Sequence, residues 1–130
     1  MNEPLWVIDK VVLATHSMLL AEHGGDQGLR DEKLLVSALA RPKNKFNYEP
    51  NSTVCELAAS YSVGLAKNHP FIDGNKRIAL TVALIFLEIN GFSLSAAEPE
   101  TAIVFEQLAA SKVSEQDLAI WFQKNTHPAT

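Results

Sequence analysis

Apolar positions recur along this chain at the three- and four-residue spacing of helices, with little of the alternation that marks strands. From Asp9, which can cap the first helix, to about His23, Val12, Leu13 and Leu19 fall on one side, and Gly24-Gly25 end the run. After a turn at Gln27-Gly28-Leu29-Arg30, Asp31 can cap a short helix carrying Leu34, Leu35, Ala38 and Leu39, with Pro42 expected to end it. Residues 42–52 then read as the longest loop, with Phe46 and Tyr48 pinning it to the body. Thr53 and Glu56 form a capping box for a helix with Val54, Leu57, Ala58, Tyr61 and Leu65 on one face. That helix must stop near Asn68, because Pro70 pushes His69 out of the helical region.

Ile78 to Ile89 is apolar on nearly every face, as in a helix covered on all sides, and Asn90-Gly91 closes it. Ser95 with Glu98, and Ser114 with Asp117, suggest boxes before Pro99 to Ala110 and before Leu118, Trp121 and Phe122. Trp6-Val7-Ile8 and Phe92-Ser93-Leu94 are the strand candidates, expected at most to pair as short extended pieces, and Thr126 to Thr130 reads as a frayed end. The pattern predicts an all-α fold, a bundle of about six helices around a buried central helix, as one domain over residues 1–130.

Composition narrows the function. The chain is 47% hydrophobic and 20% charged, ordinary for a folded protein, and its net charge of -4 argues against a sequence-independent nucleic-acid binder. Any bound anion must be met by a local cluster. The single cysteine, Cys55, has no partner for an internal disulfide and no evident base beside it, so it reads as a buried structural thiol. His16 and His23 are seven residues apart, with no cysteine or carboxylate to complete a zinc set. Trp121-Phe122 reads as core. The start of the chain lacks a basic region followed by an apolar run, and the Ile78–Ile89 stretch is too short for a bilayer. The expected location is cytoplasmic, with no membrane association.

One segment concentrates the chemistry: His69-Pro70-Phe71-Ile72-Asp73-Gly74-Asn75-Lys76-Arg77, set between two apolar helical stretches. Gly74 and Asn75 begin a helix, so N–H groups of about residues 74 to 77 lack helical partners and, with the helix dipole, favour an anion. Gly74 permits a left-handed turn and close approach of a phosphate. Asp73 can hold Mg²⁺ together with phosphate oxygens. Lys76 and Arg77 add positive charge. His69 is a candidate general base, since imidazole changes protonation near neutrality. Phe71 should turn inward. A plainer reading stays open: His69 bonding last-turn carbonyls, Asp73 or Asn75 as N-caps, Gly74 as a turn glycine, Lys76 and Arg77 merely solvated.

Residues His69 to Arg77 resemble the signature of the Fic/Doc superfamily, His-Pro-Phe-x-Asp/Glu-Gly-Asn-Gly-Arg with another arginine three positions on. Two positions depart: Lys76 replaces the second glycine, and Leu80 stands in place of the last arginine. The Asn-Lys-Arg ending, Gly24-Gly25-x-x-Gly28-Leu29-Arg30-Asp31, Leu34-Leu35 through Ala40-Arg41-Pro42, and Asn90-Gly91-Phe92 resemble the Doc branch. The resemblance implies a toxin of a toxin–antitoxin pair that uses ATP and Mg²⁺ to phosphorylate a threonine of elongation factor Tu, restrained by a Phd-like antitoxin. It implies His69 as base, Asp73 as metal ligand, and Gly74, Asn75, Lys76 and Arg77 on the nucleotide phosphates. AMP transfer, as in Fic enzymes, is the alternative activity. A non-catalytic domain binding a phosphorylated ligand is the alternative class. The self-inhibitory pattern of many Fic proteins has its nearest match at Ser111 to Glu115, which Gln116 spoils.

Overall fold

The computed structural model describes residues 2–129. Six helices carry most of them: α1 (Asp9–His23), α2 (Glu32–Tyr48), α3 (Val54–Asn68), α4 (Asn75–Ile89), α5 (Glu98–Ala109) and α6 (Glu115–Asn125). Strands β1 (Phe92–Leu94) and β2 (Thr126–Pro128) form a two-stranded antiparallel sheet. The fold is the expected all-α bundle. No described helix is long and apolar enough to cross a membrane.

The bundle is organised around α3, whose residues from Leu57 to Ala66 are all buried, with α2, α4 and α6 packed against it. The apolar α4 takes second place. It buries Ile78, Ala79, Val82, Ala83, Phe86 and Leu87, whereas Leu80, Thr81, Leu84 and Ile85 are half-covered and Ile89 is exposed. What suits α3 to the centre is its run of small residues, which lets neighbouring helices come close. At Gly64, an added Cβ would stand 3.2 Å from both the Cα and the carbonyl oxygen of Ala38 on α2. Backbone cannot yield as a side chain does. Gly64→Ala should therefore destabilise the protein by about 1–3 kcal/mol as an overpacked contact, against the roughly 1 kcal/mol that alanine gains in helix propensity. Chemical denaturation with no loss of stability would contradict this close approach.

Capping explains the boundaries that were legible. Asp31 accepts from the N–H groups of Lys33 and Leu34, and both proposed boxes at Thr53/Glu56 and Ser114/Asp117 close in both directions. Elsewhere tertiary contacts override local signals. Asp9 is not a cap: Ile8 occupies that position, the Asp9 carboxylate accepts the neighbouring Lys10 N–H, and the buried face of α1 is Val12, His16 and Leu20, with Leu13 exposed. Pro42 does not end α2, which runs on to Tyr48. A proline costs the helix one N–H, here the partner of the Ala38 carbonyl, and burial of the Pro42 ring offsets that loss. Phe46 packs edge-on against Trp6, but Tyr48 is exposed and pins nothing. Ser95 does not cap α5; its N–H and Oγ both donate to the Asn125 carbonyl.

The strand expectation also changes. β1 pairs with Thr126–Pro128, a segment read as frayed, and Trp6-Val7-Ile8 joins no sheet; Thr130 lies outside the described residues. Side chains hold that N-terminal segment instead. Asn90 bonds both main-chain groups of Leu5, and the Val7 N–H donates to the Tyr61 hydroxyl at 3.0 Å. Phe122 is fully buried and Trp121 half-buried, as expected of core, while Cys55 is only half-buried, its thiol pushed up by that burial.

Tyr61 gives the fold a pH signature. Burial pushes its phenol up to about 12, opposed by the Val7 hydrogen bond. The unfolded chain loses this proton near pH ~10, so the associated stability is present below that pH and lost as pH rises toward 12. Its slope is about 1.4 kcal/mol per pH unit. Tyr61→Phe should lack that slope, and parallel denaturation curves for the two proteins across this window would contradict it.

Candidate active site

The segment between α3 and α4 is held in an uncommon conformation. His69 closes α3 in the left-handed region, at φ 52 and ψ 54, and Gly74 opens α4 in the same region, at φ 79. For a side-chain-bearing residue that conformation costs about 1–2 kcal/mol, so surrounding contacts must hold it. They come largely from the segment after α1. Arg30 donates from Nε to the His69 carbonyl and from Nη2 to the Asn68 carbonyl, each at 2.7 Å. Main-chain N–H groups of Arg30 and Asp31 donate to the Pro70 carbonyl, Ile72 N–H donates to the Gly28 carbonyl, and Leu29 pairs with Phe71 as an antiparallel bridge. Phe71 is fully buried, as expected.

Asn75, the first residue of α4 and itself buried, is the inner brace. Its Oδ1 accepts the Phe71 N–H at 3.0 Å and its Nδ2 donates to the Phe71 carbonyl at 2.9 Å. These two bonds fix which end of the amide is nitrogen. The second Nδ2 proton therefore faces His69 Nδ1, 3.1 Å away, making that ring nitrogen an acceptor. In this arrangement neutral His69 carries its proton on Nε2. The ring lies exposed at the mouth of the site.

Asp73 is exposed, with each carboxylate oxygen oriented by a main-chain donor: Oδ1 by Gly74 N–H at 2.8 Å and Oδ2 by Asp26 N–H at 3.2 Å. Gly25 makes room for it, since a Cβ there would stand 2.9 Å from Oδ2. Gly74 N–H is thus spent on Asp73, leaving the N–H groups of Asn75, Lys76 and Arg77 as the unpaired first turn of α4. Gly74, not Asp73 or Asn75, occupies the N-cap position. Arg77 is exposed beside this turn, and the Lys76 ammonium meets Glu106 on α5 at 3.2 Å. That ion pair is solvent-exposed and cheap to break. Among the described residues no three His, Cys, Asp or Glu cluster into a metal site. A divalent ion would rest on Asp73, water and ligand oxygens, which is how Mg²⁺ is ordinarily held, so the residues fit that ion.

His69, Asp73, Gly74, Asn75, Lys76 and Arg77 all line one open cleft of about 410 Å³, completed by Ile72 and Ala109. The six residues proposed for the site from the sequence are brought together. The supports were missed: His16, Asp26 and the role of Arg30 carry no local signal, because their partners lie 38 to 57 positions away.

Residues 6–87 match the model of the Fic/DOC family. "Protein kinase doc" of Escherichia phage P1 is 32% identical over 108 residues, covering 83% of this chain and 85% of that protein. "Toxin Doc" of Mycolicibacterium smegmatis is 40% identical over 74 residues, 56% of this chain and 57% of the relative. With the signature residues converging on one cleft and the match running well beyond them, this chain belongs to the Fic/DOC family.

Proposed function

We propose that this chain, acting as one Fic/Doc-like domain, is the toxin of a toxin–antitoxin pair and a protein kinase. In this reading it moves the terminal phosphate of ATP to a threonine of elongation factor Tu in the cytoplasm, halting translation. The observation that carries the reading is the single cleft in which a histidine, a carboxylate and an unpaired helix N-terminus meet. The relatives named as a protein kinase and as a toxin support the choice within the family.

The chemistry asks for little beyond positioning and neutralisation of charge. The N–H groups of Asn75, Lys76 and Arg77 receive phosphate oxygens, Arg77 adds planar charge, and Lys76 exchanges Glu106 for phosphate. Asp73, held from two sides, is the ligand for Mg²⁺. The ion, when bound, screens the negative charge of the phosphates. His69 takes the proton of the incoming hydroxyl. To do so at Nε2 it must carry its own proton on Nδ1 instead, which requires Asn75 to release that nitrogen.

Two features favour phosphate over AMP as the transferred group. Lys76 places a long cation where Fic enzymes keep a glycine, and Leu80, in the place of their last arginine, is half-buried against the core and brings no charge. A nucleotide in the Fic orientation is poorly held, whereas a flipped one presents its γ-phosphate to His69. Restraint by a separate Phd-like antitoxin fits the geometry as well. Ser111 to Ser114 is the turn leading into α6, and Glu115, the first residue of that helix, is engaged with Arg41.

Incubation of purified protein with elongation factor Tu, ATP and Mg²⁺, followed by weighing the intact target and mapping the modified residue, tests the proposal. A gain of one phosphoryl group on a threonine is expected. A gain of AMP would refute the kinase assignment in favour of the Fic-type reaction, and an unmodified target would remove the assigned substrate.

A further inference from the structure

The peptide between Asp73 and Gly74 is held at both ends by side chains. At one end, Gly74 N–H donates to Asp73 Oδ1 at 2.8 Å. At the other, the Asp73 carbonyl oxygen lies 2.8 Å from His16 Nε2, on α1. His16 is only 4% exposed, and its ring stacks on that of Phe71, with centroids 3.7 Å apart and planes at 14°. A carbonyl oxygen can only accept, so the neutral imidazole carries its proton on Nε2 and donates. The next residue lies alongside the same ring. A Cβ on Gly74 would stand 3.5 Å from the same nitrogen.

We infer that His16 is a positioning residue for the transfer site, setting the direction of the Asp73 carboxylate through one rigid peptide. A peptide unit is planar, with its C=O and N–H pointing in opposite directions. Fixing the carbonyl with His16 fixes where Gly74 N–H points, and that N–H orients Asp73 Oδ1. Because Gly74 is also the N-cap of α4, the same peptide sets the start of the phosphate-receiving turn. The stack on Phe71 holds the imidazole in plane for this bond, and Phe71 is in turn gripped by Asn75. His16 thus reaches the site through two contacts while touching neither phosphate nor the incoming hydroxyl. The role in transfer rests on the proposed kinase reading; the role in ordering the loop does not.

If His16 were only a core filler, phenylalanine would serve, since it stacks on Phe71 and fills similar space. Glutamine, by contrast, lacks the ring but keeps a donor. His16→Phe should raise amide hydrogen exchange at Gly74 about five- to tenfold, the size of one lost neutral hydrogen bond. In the transfer assay it should raise the Mg²⁺ concentration for half-maximal rate by a similar factor, and His16→Gln should recover most of both losses. Parent-like Gly74 exchange in His16→Phe would overturn the inference. Loss of transfer without a changed Mg²⁺ requirement would overturn its catalytic half. If the parent itself transfers nothing, the kinase reading fails and Gly74 exchange alone decides the role of His16. Should His16→Phe not fold, ring ¹⁵N shifts of the parent decide: the Nε2–H form of His16 is expected, and the Nδ1–H form would overturn the inference.

Discussion

His69→Ala is expected to remove nearly all transfer while leaving the fold in place. Removing a general base is expected to lower the rate by about 10²- to 10⁴-fold. Three observations separate this loss from collapse of the site. The ring is exposed, so its removal opens no cavity. The left-handed turn at residue 69 is held by Arg30 through main-chain carbonyls, which alanine retains. And the bonds from Asn75 to Phe71 do not involve the imidazole. Nucleotide binding should therefore survive, with the effect falling on kcat and little on KM for ATP. A His69→Ala protein that still modifies its target at more than about a tenth of the parental rate would show that the hydroxyl needs no base here. The contrast also separates the kinase from a passive phospho-ligand binder, in which His69 has no task.

Asn75→Ala is expected to cost both stability and activity. Its amide satisfies the N–H and the carbonyl of Phe71, beneath a ring that is fully buried. A buried group left without its partner costs about 1–3 kcal/mol, so the two together should cost about 2–5 kcal/mol in chemical denaturation. Alanine is a better helix former than asparagine, which returns roughly 0.7 kcal/mol at most. Activity should fall further than stability alone explains, because the loop carrying His69 and Asp73 loses its inner brace even in molecules that remain folded. A loss below about 1 kcal/mol would mean that water reaches Phe71 and that the brace is not structural.

What was readable in the sequence, and what was not, follows the reach of each interaction. The site was legible because its chemistry is local: all six residues fall within nine positions, and helix-start physics assigns most of their possible roles. Capping boxes at Thr53 and Ser114 were legible for the same reason, each closing over three residues. The persistence of α2 beyond Pro42 was hidden, because burial of the ring against neighbouring helices decides it. Likewise Ser95 had a plausible glutamate three residues on, yet the Asn125 carbonyl at the end of α6 competes for it and wins. The centre of the bundle was assigned to the most apolar helix, whereas close approach at Gly64 gives it to the helix with small residues. His16 is the clearest case. On its own helix it is an unremarkable polar residue, and only the folded chain sets it against Phe71 and Asp73.

The proposed reaction requires the first turn of α4, with Asp73 beside it, to hold the phosphates of a magnesium nucleotide. Amide chemical shifts of ¹⁵N-labelled protein titrated with ATP, with and without Mg²⁺, report on it residue by residue. The largest shifts should fall on Gly74, Asn75, Lys76 and Arg77, should saturate, and should weaken when Mg²⁺ is withheld. Saturating shifts confined to another part of the surface, or none at this turn at any nucleotide concentration, would contradict it.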